Sequence, residues 1–536
     1  MGADYYLRTC VHPSGRFIAG IHKPSYKVMN NRLSSASLTL GRTDDGTIVR
    51  NDVNFPPGDL SVDSAEWVYE VPNAFPIWGV TYILGKIAEN NGSNGLDFSF
   101  EPRGVTRFEK IPGLDQVDME NLPRPILLAI AQTCTSPPLL KRLLPLCADF
   151  EYHPGTDVPR GIRYLKKGAG SHVPAIIDHD LYETLGNNPY LPDDIKRVML
   201  LDPGAQGTSP VVGEYVSKER THIWEYLRAN SYIPWGHFAA NMAQDSVRYS
   251  VNDLDMEDIR GLRHLYYQRI YCGLAENLGM KIEKRGLFNP PELDELRTWI
   301  LERLREKGQS FFTSTLWGWN YGYDFSPSGF RLHASHQQIH QQFALIPQEA
   351  ESVPGMEQGL PFFSYAIGDS IASFIARYEA GHSTSFFEAY IKAIRHGNRR
   401  LDGRDELPSE IVIAQDENAM LFVPKAQRSQ GEIQIMTIKP VGNILEADAD
   451  MRLSLDRMIL KAVKVLAHIG ARMITCFEIS KRFLSGSDQR LMYCFLPKHP
   501  RSPGAFSEQQ GRWITGHFPE DYAKCCQKAL EQLSIS

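Results

Sequence analysis

Between residues 408 and 533 the hydrophobic period changes in a fixed order, and that order restricts the fold more than any other feature of the chain. "EIVIAQDENAMLFVP" (410–424) and "GEIQIMTIKP" (431–440) alternate as strands do. "DADMRLSLDRMILKAVKVLAHIG" (448–470) repeats its apolar residues every three or four positions, as an amphipathic helix does. "QRLMYCFLP" (489–497) is a further strand. "FPEDYAKCCQKALEQL" (518–533) is a closing helix, with Pro519 early and acids in its first turn. Upstream, "SFFTSTLWGWNYG" (310–322) and "QQFALIP" (341–347) are strands, and helices run through about 365–400. The order strand–strand–helix–strand thus occurs in both halves. It predicts an α+β fold with antiparallel sheets and helices on one face.

Two helices precede these strands. "VNDLDMEDIRGLRHLYYQRIYCGLAENLG" (251–279) offers Asn252 or Asp253 as a cap, acids in its first turn and Gly279 after its end. "PPELDELRTWILERLREKG" (290–308) is of the same style. Residues 1–85 read as strands and turns. Residues 86–235 are irregular and rich in Pro and Gly, an insertion or extra subdomain. With 536 residues the chain exceeds one compact domain. The expected division is a first domain over 1–400, interrupted at about 86–235, and a second over 401–536.

A net charge of −6 with no strongly basic block argues against nucleic acid as partner. No segment has the length of a membrane span, and the start of the sequence has no apolar run of signal-peptide type. The expectation is a soluble, cytoplasmic protein with no membrane partner. The eight cysteines form no C-x-x-C pair, which fits reduced, mostly buried thiols.

The chemistry concentrates in "HASHQQIHQQFALIP" (333–347). Gln338, His340 and Gln342 lie two apart, so on an extended segment they share one face. Neutral amides then flank His340. That setting suits a nucleophilic imidazole, because a carboxamide can donate to a phosphoryl oxygen without adding negative charge, whereas a carboxylate would repel the substrate. Two other readings stay open at this point. His333, His336 and His340 have the spacing of one helical face and could bind a metal. The stretch could also be a solvated polar turn.

The wider run "WNYGYDFSPSGFRLHASHQQIHQQFALIP" (319–347) resembles the active-site segment of galactose-1-phosphate uridylyltransferases and related histidine-triad (HIT-like) nucleotidyltransferases. Asn320 and Gly322 match that family's Asn-x-Gly element. Ser335 stands five residues before His340, as the family serine stands before its nucleophile. Gln342 matches the glutamine that follows, and Pro347 ends the strand. "VPNAFPIW" (71–78) looks like the family's Asn-x-Phe-Pro strand. The segments 237–269 and 501–530 are similar to the flanking parts.

The resemblance implies two HIT-like units in one chain. It implies nucleotidyl transfer from a nucleotide sugar or related nucleoside phosphate through a covalent His340 intermediate. Ser335 and Gln342 would bind phosphate oxygens, Asn320, Gly322 and Gln338 would shape the pocket, and Asn73 and Phe75 would hold the nucleoside. It also implies a homodimer. The chain departs from the family at its structural zinc: Gln338 replaces a histidine, "AQDS" (Ala243–Ser246) replaces the metal-binding loop, and the C-x-x-C is missing. No metal and no cofactor are therefore expected. A phosphorylase acting on a nucleoside-diphosphate sugar or dinucleoside polyphosphate shares the first step. A non-catalytic nucleotide-binding protein is the competing class.

Lesser candidates are "YLKKGAGSH" (164–172) as a phosphate loop, "DHD" (178–180) as metal ligands, and Lys439, Lys498 and Arg501 as phosphate contacts. A surface turn or solvated charge is the simpler reading of each.

Overall fold

The computed structural model describes residues 8–30, 37–54, 58–93, 117–167, 171–186, 188, 190–199, 254–282, 288–308, 310–322, 340–350, 362–471, 473–497 and 505–533. Its centre is a seven-stranded sheet built from β1 (Phe312–Gly322), β2 (His340–Pro347), β3 (Val412–Gln415), β4 (Ala419–Phe422), β5 (Ile433–Thr437), β6 (Met473–Ile479) and β7 (Met492–Pro497). The spatial order is β2-β1-β6-β7-β5-β4-β3, and every pair is antiparallel. Strands from both sides of residue 400 therefore share one sheet, joined where β1 meets β6.

Six long helices accompany it: α1 (Met256–Asn277), α2 (Pro290–Lys307), α3 (Ile367–His382), α4 (Phe386–Arg395), α5 (Ala449–His468) and α6 (Pro519–Leu533). Their ends follow from local chemistry. Asp255 caps α1: its carboxylate accepts the Asp258 N–H at 2.9 Å, and Asp258 returns the bond to the Asp255 N–H. The cap lies two to three residues beyond the Asn252 or Asp253 expected from sequence. Asn289 and Glu292 form the same reciprocal box at the start of α2, with Pro290 in its first turn, and Gly308 ends it at φ +65.

One face of the sheet is covered by α1, α2, α5 and α6. Leu421, Ile435, Tyr493 and Trp317 from the sheet meet Tyr266, Leu455, Ile459 and Tyr522 there. The sequence reading put helices on one face only. The structure corrects this. Met420, Phe422, Met436 and Cys494 on the opposite face are covered by α3, α4 and a second, four-stranded sheet. These sheet residues are apolar on both sides, and a strand apolar on both sides has to be packed on both sides.

The smaller sheet has strands Gly20–His22, Val68–Pro72, Val80–Leu84 and Arg512–Thr515. Its last pair is parallel, a departure from the all-antiparallel expectation. Gly79 and Gly511 make that pairing possible. A Cβ on Gly79 would lie 2.0 Å from the Gly511 carbonyl oxygen, and Gly79 itself has φ +73.

Residues 117–199 form a separate small core of Ile130, Leu140, Leu143, Leu185 and Ile195, carried by short helices and two hairpins. This part of the irregular 86–235 segment thus has a hydrophobic core of its own. No helix among the described residues is long and apolar enough to cross a membrane.

Candidate functional site

β1 is a strand because "STLWGWN" combines aromatic and β-branched residues with a two-residue period. Thr315, Trp317 and Trp319 turn inward and are buried, while Leu316 between them is half exposed. β2 pairs with it in a register that sets His340 opposite Asn320, Gln342 opposite Gly318 and Ala344 opposite Leu316. On β2 the inward residues are Gln341, Phe343 and Leu345. The Trp317 indole N–H donates to the side-chain amide oxygen of Gln341 at 2.7 Å. The Phe343 ring lies 5.9 Å from that of Tyr266 on α1, and Leu345 packs over Gly273. The alternation then assigns positions 342 and 344 to the other face, where Gln342 and Ala344 are exposed.

The backbone thus brings together four of the motif positions read from sequence. Asn320 and Gly322 end one strand, and His340 and Gln342 begin its neighbour, at the same end of the sheet. Ser335 and Gln338 lie outside the described residues, as do His333, His336 and the Gln244–Ser246 loop.

The face that carries Gln342 continues across the sheet. Gly318 pairs with Phe477, and Phe477 with Cys494. Over Phe477 sits a cation that the sequence reading missed. The Arg428 guanidinium stacks 4.0 Å from the Trp78 ring centre and 5.3 Å from that of Phe477. It is buried and ion-paired to Glu432, whose carboxylate also accepts from the Gln434 amide at 2.8 Å. No spacing rule marks Arg428 in "VPKAQRSQGEI". Only the tertiary pairing of β1 with β6 places it on this face.

The opposite, helix-side face holds a buried charge cluster. Arg263 of α1 has no exposed surface and is ringed by Tyr266, Tyr267, Trp317 and Tyr493 at 4.5–5.2 Å. It donates to the Tyr267 and Tyr493 hydroxyls at 2.7 and 2.6 Å. Glu478 accepts from Tyr266 at 2.8 Å, Tyr493 at 2.7 Å and Thr315 at 3.2 Å. Burial pushes the Glu478 carboxyl above its ordinary range, opposed by Arg263 and these hydroxyls. With its oxygens committed to hydrogen bonds, Glu478 fixes β1, β6 and β7 against α1.

Asn73 and Phe75 stand elsewhere. The Asn73 amide donates to the Ala426 carbonyl at 3.1 Å, and its oxygen accepts the Phe75 N–H at 3.1 Å. Phe75 is 1 % exposed, inside a cluster with Trp78, Phe374, Phe386, Phe387 and Tyr390. As folded, neither side chain presents a surface to a nucleoside. Asn73 ties the small sheet to the 423–432 loop, and Phe75 fills the core beneath it.

The minor candidates resolve into structural roles where they are described. Asp178 and Asp180 both pair with Arg124, and this partner holds the Asp178 carboxyl down at about 2. Asp178 also accepts the Leu181 N–H at the start of the helix His179–Gly186. Residues 164–167 and 171–174 form a hairpin. Lys439 donates to the side-chain amide oxygen of Asn418 at 2.7 Å. Lys498 and Arg501 lie outside the described residues. The eight cysteines form no disulfide, and all but Cys525 are buried.

No family model matches this sequence, and no curated protein is similar to it in sequence. Solved structures do resemble the chain. A GalT-like protein from Arabidopsis thaliana is 14 % identical over 46 % of this chain and 70 % of its own, with a TM-score of 0.30. An ADP-glucose phosphorylase from Arabidopsis thaliana with bound ADP-glucose is 14 % identical over 53 % and 71 %, with a TM-score of 0.34. A uridylyltransferase mutant is 15 % identical over 53 % and 74 %, with a TM-score of 0.30.

Proposed function

We propose that this chain is a nucleotidyltransferase that acts on a nucleotide sugar or related nucleoside phosphate through a covalent intermediate on His340. The observation that supports this reading most is the register of β1 and β2. It sets two motif elements separated by a loop, Asn320-x-Gly322 and His340-x-Gln342, opposite each other at one end of the sheet.

In the proposed reaction a ring nitrogen of neutral His340 attacks the phosphorus bonded to the nucleoside. A P–N bond forms, and the P–O bond to the departing sugar phosphate breaks. The acceptor's phosphate oxygen then attacks the same phosphorus from the opposite side and frees the imidazole. Gln342 and Ser335 donate to the non-bridging oxygens as charge builds there. Asn320, Gly322 and Gln338 shape the phosphate pocket. Asn73 and Phe75 serve from behind, holding the small sheet and the 423–432 loop in place.

The proposed architecture is two HIT-like units, residues 1–400 and 401–536, joined along the β1–β6 seam, and the proposed assembly is a homodimer. Alkaline quenching of the protein with labelled nucleotide sugars and dinucleoside polyphosphates tests the chemistry. Label retained on His340 after quenching supports transfer. Turnover that requires inorganic phosphate identifies a phosphorylase, which differs in its acceptor. Nucleotide binding with neither label nor turnover would leave a binding protein and end the enzymatic reading.

A further inference from the structure

We propose that a pocket at the end of β1 and β2 remote from His340 is a second binding site, for an uncharged planar heterocycle of the nucleobase type. The pocket is a cavity of about 600 Å³. That is inside the range of roughly 300–1,000 Å³ usual for small-molecule sites. It lies where the end of α2, the start of β1, the residues after β2 and the 482–485 turn meet. Gln348 follows the last residue of β2. The extended run from His340 to Gln348 spans roughly 26 Å. The pocket is therefore separate from the proposed catalytic end.

Backbone hydrogen bonds build its frame. The Phe483 N–H donates to the Thr313 carbonyl at 2.7 Å, the Gln348 N–H to the Phe311 carbonyl at 3.0 Å, and the Ser364 N–H to the Gln348 carbonyl at 3.1 Å. These bonds tie the 482–485 turn, the start of β1 and the short hairpin of Glu349–Ala350 with Phe362–Phe363 into one rim. Leu304, Phe312, Phe363, Phe483 and Leu484 make the apolar wall. Phe363 is 61 % exposed and Leu484 44 %. Leu484 also holds φ +59, a left-handed conformation that residues other than glycine rarely adopt. Strain of this kind gathers at ligand clamps.

Charge decides which ligand class fits. Asp369 and Arg482 are the charged residues of the lining, and both are committed to the fold. All five N–H groups of Arg482 are engaged, by the two Asp369 oxygens, the Thr313 hydroxyl and the Pro347 and Ser364 carbonyls. The Asp369 carboxylate also accepts the Ala366 N–H at 3.0 Å. No donor of Arg482 is left for a phosphate or carboxylate, and the lining holds no other cation. A charged ligand would give up its hydration here without a partner. What the pocket does offer is aromatic surface and the Gln348 amide. That side chain is exposed, and among the described residues it makes no hydrogen bond. It presents a donor and an acceptor side by side, which complement an acceptor beside a donor on a heterocycle edge. An aromatic such as Phe363 can stack on the ring itself, a contact open to every base.

Calorimetric titration of the whole chain with adenine, uracil, adenosine and uridine tests the proposal, beside Gln348→Leu and Phe363→Ala. Both side chains are exposed, so the variants should keep the parent's circular dichroism. At least one of the four compounds should bind the parent. Each substitution should weaken that binding roughly ten- to a hundredfold, the value of one paired amide edge or one stacked ring. Binding of the free bases alone identifies the base as the ligand, and binding of the nucleosides as well shows that the pocket admits a sugar; either supports the site. Hydrogen exchange gives the location, with the amides of 311–313 and 482–485 slowed by the bound compound. Three outcomes overturn the proposal: none of the four binds at millimolar concentration, both substitutions leave binding unchanged, or slowing is confined to 318–322 and 340–343. None of these readouts requires turnover, so labelling at His340 can fail while the pocket stands.

Discussion

The side chains of Arg263 and Asp456 lie 3.6 Å apart between α1 and α5, Arg263 fully out of water and Asp456 nearly so. The separation is too long for a hydrogen bond, so the attraction of Arg263 does not offset the burial of the carboxylate. Burial raises the Asp456 carboxyl from 3.8 to about 7, against the pull of Arg263, Arg452 and Arg260. His264, one residue from Arg263, moves the other way. Burial lowers it from 6.5 to about 4, with Arg452 adding to the shift and the bond to Gln268 opposing it.

These two groups should oppose each other in pH. Folding retains a proton on Asp456 that the unfolded chain loses, so this group's contribution is full below about 4 and is lost as pH rises to 7. Folding keeps His264 neutral, so its contribution is full above 6.5 and is lost as pH falls to about 4. In the unmodified chain the two slopes cancel in part. Asp456→Asn should therefore gain thermal stability relative to the parent as pH rises from 4 to 7. His264→Gln should gain relative to the parent as pH falls through the same window. Tm curves parallel to the parent's across that window would contradict both assignments.

His340→Asn should abolish the labelled intermediate while the protein stays folded and still binds nucleotide. Gln342→Ala should retain the intermediate but slow its formation roughly ten- to a thousandfold, the range for losing one oxyanion donor. Rapid-quench labelling separates the two outcomes. Full activity in His340→Asn would remove the proposed mechanism.

Arg482 clamps the far end of β1 and β2. It donates to both Asp369 oxygens at 2.8 Å, to the Pro347 carbonyl at 3.2 Å, to the Ser364 carbonyl at 2.6 Å and to the Thr313 hydroxyl. Lysine keeps the charge but cannot reproduce the planar fork. Arg482→Lys should cost about 1–3 kcal/mol in urea unfolding, given that the pair is partly exposed.

Gly79→Ala should cost about 2–4 kcal/mol, because the new methyl meets the Gly511 backbone and the residue already holds a positive φ. Gly155→Ala is the control. Its φ is +74, but nothing lies within 4 Å of its Cβ position, so only the conformational cost of about 1 kcal/mol applies. Equal losses in the two variants would mean that the close approach at Gly79 contributes nothing.

Local periodicity was a dependable guide wherever an element packs through one dominant face. The strands 312–322, 340–347, 433–437 and 492–497 and the helices 256–277, 290–307, 449–468 and 519–533 fall where the sequence pattern put them. What periodicity could not carry was partnership. Nothing in "SFFTSTLWGWNYG" reveals that its neighbour is "MITCFEI", some 150 residues later, so the single shared sheet was not legible. Phe75 shows the same limit. An aromatic in a motif looks the same in sequence whether it faces a ligand or, as here, five other rings. Arg428 reached the candidate face through a loop, and loops carry no period to read.

The parallel pairing of Val80–Leu84 with Arg512–Thr515 also sets a timetable for synthesis. Some 430 residues separate the two strands. At 5–20 residues per second the earlier one waits roughly 20–90 s for its neighbour to leave the ribosome. Throughout that interval one edge of the small sheet stands open, and Tyr69 lacks the Phe518 ring that later packs against it. The small sheet is thus completed only once residues 512–515 have been made.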